Sequence, residues 1–337
     1  MDGPVETLPA PQDLTSGGAC DPDEVEGSLA PITEGLVGDD GRVRLSYSRV
    51  ETYRTCPAQF RYTYIEQLPG EPSPHLAFGS SLHAALERFY DRKLPQCPSE
   101  EELLAYLYDV WDTSGFAGMS RDEQLAWYRH GQAVLRRFHR RQAPSFRLPA
   151  DVEKWFEVPF GDNAVVVGSI DRVDVHDDGS LEVVDYKTNR RVRDRDGVRR
   201  SLQLAIYAIA CEHLYGRLPS HVTLDFVVAG LRVRVPVAEI DLDAARRAVD
   251  DAARAVLDGR YTPAPSRLCD WCDFRAVCPA WQGEGPDVLG AAVTALERLR
   301  RQVHRDVRTL RQLEAGVGRL TAELAARVGE HSTSPPQ

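Results

Sequence analysis

Gly168-Ser169-Ile170-Asp171-Arg172-Val173-Asp174-Val175-His176-Asp177-Asp178-Gly179-Ser180-Leu181-Glu182-Val183-Val184-Asp185-Tyr186-Lys187-Thr188 is the stretch on which the reading of this 337-residue chain turns. Two runs of alternating apolar residues flank Asp177-Asp178-Gly179, and a three-residue hairpin loop commonly closes on a glycine in the left-handed region. With the loop centred on Asp178, residues equidistant from it face each other, which sets Asp171 opposite Asp185. Directly opposed side chains have Cβ atoms about 4.5–5.5 Å apart. Two carboxylates so placed repel unless a cation lies between them. Lys187, two residues beyond Asp185, points to the same side of its strand. Hard oxygen ligands beside an ammonium suit Mg²⁺ or Mn²⁺ bridging to a substrate phosphate, with the lysine orienting or activating an attacking water. A two-residue loop at Asp178-Gly179 would put the acids on opposite faces instead, and a surface hairpin with acidic ends has the same spacing. The apolar neighbours, Val165 to Ile170 and Leu181 to Val184, mark both strands as buried.

Working outward, residues 152–160 form another alternating strand, and 222–228 with 231–237 read as a strand pair turning at Gly230. Helical spacing covers 75–93, with Leu82, Leu86, Phe89 and Tyr90 on one side, then 99–142, 202–214 and 244–257. A further helix carrying Val50, Tyr53 and Phe60 starts at Ser46 or Ser48. Helices on both sides of a strand-rich middle predict an α/β fold.

The flanks differ from this body. Residues 1–42 are rich in Pro, Gly and Asp and read as a disordered acidic tail. The first 40 residues hold ten acids and no Lys or Arg, so the net charge of −10 belongs to the tail. The other 41 acids balance the 41 bases, and the overall acidity does not exclude a DNA partner. In residues 285–330 apolar positions from Leu289 to Val328 recur every three or four residues, near the heptad spacing. That is an amphipathic helix, or a hairpin broken at Gly316 and Gly318, which docks on the body or mediates self-association. Residues 331–337 read as a second disordered tail. With 42% hydrophobic and 27% charged residues, no apolar run near a membrane-spanning length and no basic or apolar leader, the chain is expected to be cytoplasmic, with no membrane partner.

Seven cysteines, an odd number, argue against a disulfide framework. Cys269-Asp270-Trp271-Cys272 is a Cys-x-x-Cys pair, and Cys278 follows. Cys56 is the best fourth member, since Cys20 lies in the tail, Cys97 in a loop and Cys211 in an apolar helix; proline follows both Cys56 and Cys278. Four thiolates hold Zn²⁺ or an iron–sulfur cluster. A lone cysteine about 210 residues upstream of the others fits a cluster that staples the two ends of a domain, shielded by Trp271, Phe274 and Trp281.

Taken in this order, these pieces resemble the RecB-like nucleases of the PD-(D/E)XK superfamily, in particular the stand-alone and AddB-type forms that carry a [4Fe-4S] cluster. The resemblance runs from about Ser46 to Trp281. The segment from Ser46 to Pro57 is similar to the family's opening motif with its first cluster cysteine. Gly79-Ser80-Ser81-Leu82-His83 is similar to the helix whose histidine completes the metal site, and Gln203-Leu204-Ala205-Ile206-Tyr207 to the Gln-x-x-x-Tyr motif. The resemblance implies a restriction-endonuclease-like mixed central sheet flanked by helices, over a nuclease domain of residues 43–284. It implies that Asp171, Asp185, the Tyr186 carbonyl and His83 bind Mg²⁺ or Mn²⁺, that Lys187 assists the water, and that Gln203 and Tyr207 position the lysine region or the DNA. It implies a [4Fe-4S] cluster on Cys56, Cys269, Cys272 and Cys278, with Zn²⁺ as the lesser alternative.

Arg190, Arg191, Arg193, Arg195, Arg199 and Arg200 follow the second strand directly, and phosphate contacts there would bind DNA, with Asp194 and Asp196 marking a mobile loop. The larger family members carry a helicase in the same chain. This chain has no Gly-x-x-x-x-Gly-Lys-Ser/Thr loop, so unwinding would come from a separate partner. The expectation is a metal-dependent DNA exonuclease acting on single strands or ends in repair or recombination. A nuclease of CRISPR adaptation, or a DNA-binding or scaffold subunit with little cleavage, are the alternatives.

Overall fold

The computed structural model describes residues 35–70, 73–91 and 96–281, and the single helical positions Leu296, Arg300, Val303, Val307 and Val317. The acidic segment 1–34 and the tail 331–337 lie outside the described residues, as does most of 285–330; the four apolar positions described there are exposed. Residues 35–42, expected in the tail, belong to the described body ahead of the expected start at Val43. Leu36 is buried and Val37 bridges to Val43, so this apolar pair draws residues 35–42 out of the expected tail.

Strand β1 (Val43–Leu45) leads into α1 (Tyr47–Thr55), capped by the Ser46 hydroxyl on the Arg49 amide. Pro57 opens α2 (Pro57–Phe60), which widens into a π-helical turn, Arg61–Ile65. Helix α3 (Pro74–Tyr90) follows. The helical stretch expected over 99–142 is two helices, α4 (Glu100–Asp109) and α5 (Arg121–Gln142). Each starts with a reciprocal Ser–Glu box, Ser99 with Glu102 and Ser120 with Glu123, and Gly118 at φ 94° turns the chain between them. Then come β2 (Asp151–Phe160), β3 (Ala164–Val175), β4 (Leu181–Lys187), α6 (Arg195–Arg199), α7 (Leu202–Tyr215), β5 (His221–Phe226), β6 (Leu231–Pro236) and α8 (Leu242–Leu257).

The strands form one mixed sheet in the order β1-β3-β4-β5-β6, with β2 pairing β3 from the side. Strands β1 and β3 are parallel, as are β4 and β5; the other pairs are antiparallel. One face packs Leu204, Ala208, Val249 and Val256 of α7 and α8, with Val50 of α1, against Val166, Ile170, Val183 and Leu224. The other packs Leu82, Phe89, Leu107, Leu135 and Phe138 of α3, α4 and α5 against Val184, Tyr186 and Val227. Strand β4 feeds both layers, Leu181 and Val183 one way, Val184 and Tyr186 the other. A strand covered on both faces has this continuous apolar run. The mixed sheet between helical layers matches the expected fold class.

The hairpin has the expected register. Gly179 sits at φ 79°, and Arg172↔Val184, Val173↔Val183, Asp174↔Glu182 and Val175↔Leu181 are all centred on Asp178. Among the described residues no helix is long and apolar enough to cross a membrane.

Candidate active site

The β3–β4 ladder stops at Arg172↔Val184, one step short of the acids. Beyond it β3 diverges, and its first residues, from Ala164 to Val166, pair with β1. The sheet therefore forks where direct pairing of Asp171 with Asp185 was expected. Asp171 plugs the fork, its Oδ2 accepting the Tyr186 backbone N–H at 2.7 Å. Both carboxylates are buried, Asp171 at 7% and Asp185 at 1% exposure. Burial, and then the charge of Asp185, holds the Asp171 carboxyl well above the ordinary carboxylate range.

Lys187 Nζ lies 2.6 Å from Asp185 Oδ2 and donates to Gln203 Oε1 at 2.7 Å. Gln203 Nε2 donates in turn to the Tyr207 hydroxyl at 3.0 Å. Helix α7 presents both residues one turn apart on one face, where i and i+4 side chains meet. The buried Asp185 Oδ2 is held by the Lys187 ammonium as a close ion pair. Two buried carboxylates that converge beside one ammonium offer hard oxygen donors of the kind a divalent cation takes.

His83 comes from α3. A Cβ on Gly79, one turn earlier, would lie 2.9 Å from Thr188 Oγ1, so this glycine lets the helix approach the end of β4. His83 Nδ1 is 3.5 Å from Asp171 Oδ2. Burial is the first cause lowering its pKa, which favours the neutral ring that ligates metals.

Glu153 was not expected. It sits in β2 at φ 45°, a left-handed conformation uncommon for a residue other than glycine. Strands β2 and β3 pair on both sides of it, Val152↔Arg172 and Lys154↔Ile170, but not at Glu153 itself. The kink lies at the strand position facing Asp171, and ligand atoms of His83, Glu153 and Asp171 all fall within 4.8 Å of one another. Burial raises the Glu153 carboxyl. In sequence an acid in a half-exposed strand reads as solvent-facing, and nothing there announces a positive φ.

The profile of the PD-(D/E)XK nuclease superfamily matches residues 44–279, a span that holds every group just described. The chain belongs to this superfamily. Over 270 residues it is 26% identical to the Gene 69 protein of Mycobacterium phage D29, covering 70% of this chain and 97% of the phage protein. Over 143 residues it is 31% identical to an ATP-dependent helicase/deoxyribonuclease subunit of Streptococcus pyogenes serotype M49 (strain NZ131). That match covers 40% of this chain and 13% of the streptococcal protein. The chain is a RecB-like nuclease, and enzymes of this superfamily use divalent metals.

The nuclease carries its arginines differently from the expected mobile loop. Asp194 caps α6 by accepting the Gly197 amide at 2.7 Å, and Val198 is fully buried, so a cap and one apolar anchor order the segment. Arg199 is 3.2 Å from Asp196 and 3.4 Å from Glu239, and Arg195 also pairs with Glu239. Arg190, Arg191, Arg193 and Arg200 are exposed and pair with no carboxylate among the described residues.

Cys56, Cys269, Cys272 and Cys278 line one cavity of about 330 Å³ between the start of α2 and the turns around 267–277. Amides point at two of the sulfurs, Ala264 at Cys56 and Ser266 at Cys269. Tyr62 packs on Phe274 at 5.5 Å, tying the two segments together, and Phe60 and Tyr64 pack on each other. Burial raises the Cys272 thiol pKa, and the other three sulfurs add to the shift. Tetrahedral Zn²⁺ with bonds of about 2.3 Å draws its thiolates to within about 4 Å of one another. The thiols here do not form such a group; among the described residues only His83, Glu153 and Asp171 gather within 4.8 Å.

Proposed function

We propose that this nuclease is a metal-dependent deoxyribonuclease, an exonuclease that hydrolyses phosphodiester bonds of single-stranded DNA or DNA ends in repair or recombination. Asp171, Asp185, the Tyr186 carbonyl and His83 would hold Mg²⁺ or Mn²⁺, with Glu153 as a further ligand. Bound there, the ion supplies Lewis acidity at the phosphate and a water of lowered pKa. The protein's own share is positional. Lys187 donates to the attacking water and offsets charge building on the phosphoryl oxygens. Gln203 fixes the lysine rotamer and Tyr207 fixes Gln203. The observation that carries this reading is the convergence of two buried carboxylates, Asp171 and Asp185, with the Lys187 ammonium 2.6 Å from the second. The burial of both acids supports a thin, flexible strand over an intact duplex, because the scissile phosphate has to enter the fork. The exposed Arg190, Arg191, Arg193 and Arg200 would contact phosphates, and Arg199 is a weaker candidate than these four because it is already paired. Similarity to part of a helicase/deoxyribonuclease subunit supports a separate helicase partner.

Four thiols lining one cavity are the ligand set of a [4Fe-4S] cluster, which would join α2 to the chain's 267–278 segment. Protein purified without oxygen should absorb near 400 nm and digest end-labelled oligonucleotides only with Mg²⁺ or Mn²⁺. No metal-dependent digestion by such protein would refute the reading. Cys278→Ser should lose the absorbance and unfold about 5–10 °C lower; an unchanged spectrum and melting curve would exclude a cluster there. Glu153→Gln should weaken Mn²⁺ binding to DNA-free protein about tenfold by calorimetry. Unaltered affinity would remove Glu153 from the ligand set.

A further inference from the structure

Most surface arginines of this molecule are spoken for: Arg44 by Glu157, Arg88 by Asp109, Arg136 by Glu100, Arg195 by Glu239. Two on α5 are not. Arg137 and Arg140 are exposed, and neither pairs with a carboxylate among the described residues; Arg137 donates only to the Val228 carbonyl at 3.0 Å. They line a groove of about 380 Å³ with Arg141, Phe138, Val227, Ala229 and Gly230, and no acid lines it. Arg141 is bound to Asp225 at 2.6 Å but keeps two buried N–H groups without acceptors, Nε and Nη1.

The groove adjoins the backbone at the end of β4, on the α5 side of the sheet. The Val227 amide, in its wall, donates to the Lys187 carbonyl at 3.0 Å, so it opens where the catalytic strand ends. Outside the acidic first 40 residues, acids and bases balance in number. Arg137 and Arg140 therefore present exposed positive charge that an anionic backbone can meet.

We propose that the groove between α5 and the β5–β6 turn is a phosphate track for the DNA strand that is cleaved at Asp171 and Asp185, with Arg137 and Arg140 contacting its backbone. The inference rests on the deoxyribonuclease reading and adds to it a route on α5, which carries no residue of the catalytic motifs. Such contacts are read by salt. Each phosphate neutralised on a single strand contributes about 0.7 to the slope of log affinity against log salt.

The test is binding of a fluorescein-labelled single-stranded oligonucleotide to the full chain without divalent metal, titrated over NaCl. The double variant Arg137→Ala/Arg140→Ala should flatten the slope by about 1.4 and bind about tenfold more weakly near 100 mM salt. Arg137→Lys/Arg140→Lys keeps the charges and should recover most of the slope, which a folding defect would not. Arg88→Ala, removing a paired arginine elsewhere, should leave the slope alone. If the wild type binds with a steep slope and the alanine double variant shares it, the α5 track is wrong and the nuclease reading stands. If the lysine variant is as impaired as the alanine variant, the effect is not phosphate binding and the track is again wrong. If the wild type binds no oligonucleotide and digests none, both readings fall together.

Discussion

Asp171→Asn is expected to abolish cleavage while making the metal-free protein more stable. The carboxyl is buried at the sheet fork and faces Asp185, and both conditions penalise its ionised form. An amide keeps the shape and still accepts the Tyr186 N–H that Asp171 accepts at 2.7 Å. What it removes is one of two buried charges that repel in the absence of a cation, and relief of that kind is worth about 1–3 kcal/mol. The sign of the pH dependence follows. A carboxyl whose folded-state pKa is raised binds more protons folded than unfolded, so its contribution to stability falls as pH climbs from the ordinary carboxylate value toward the raised one. In EDTA the stability gap between variant and wild type should therefore widen as pH rises above about 4. With Mn²⁺ the order should reverse, because the cation stabilises only a protein that binds it. Cleavage should drop about 10³-fold or more, since the ion's share of the barrier is several kcal/mol. A variant less stable than wild type in EDTA at pH 8, or one that still cleaves, would show that this carboxylate is not held for a cation.

Much of this site is legible in the primary structure because it depends on local rules. Gly179 closes a three-residue loop, and that fixes which residues of β3 and β4 face each other. The alternation of Leu181 to Lys187 fixes which of them share a side, and Gln203 and Tyr207 share a helix face by spacing alone. What sequence does not carry is competition between distant partners. Strand β1 takes over the edge of β3 from Ala164 to Val166, and the fork at Asp171 results from that exchange. A reading of the hairpin by itself extends the ladder one pair too far. The kink at Glu153 is hidden for a related reason, since a positive φ in a non-glycine residue is imposed by surroundings rather than preferred by the residue. Segment 190–200 shows the opposite case, in which a legible cap, Asp194, and a legible anchor, Val198, were outweighed by the number of charges around them. Cys56 reaches the other three cysteines through packing of Tyr62 on Phe274, a contact between residues far apart in the chain.

Lys187→Ala should be as inactive as Asp171→Asn but opposite to it in every other measurement. The ammonium lies 2.6 Å from Asp185 Oδ2, and removing it leaves a buried carboxylate without its counter-charge. Breaking a buried pair in this way costs about 3–5 kcal/mol, so the metal-free variant should melt well below wild type. Gln203 Oε1 also loses its 2.7 Å donor and Gln203 is left held only by Tyr207. Loss of a positive charge beside the carboxylates should in turn hold or tighten Mn²⁺ affinity, and bound Mn²⁺ should return much of the lost stability. Activity should not return with it. A group that positions the water and offsets phosphoryl charge contributes about 10²–10⁴ in rate, and saturating the metal site does not replace it. Melting curves, calorimetric Mn²⁺ titration and single-turnover cleavage on the same preparation separate the two roles. If saturating Mn²⁺ restores both the melting temperature and the cleavage rate, Lys187 is only the counter-ion of Asp185, and the water must be positioned by another group.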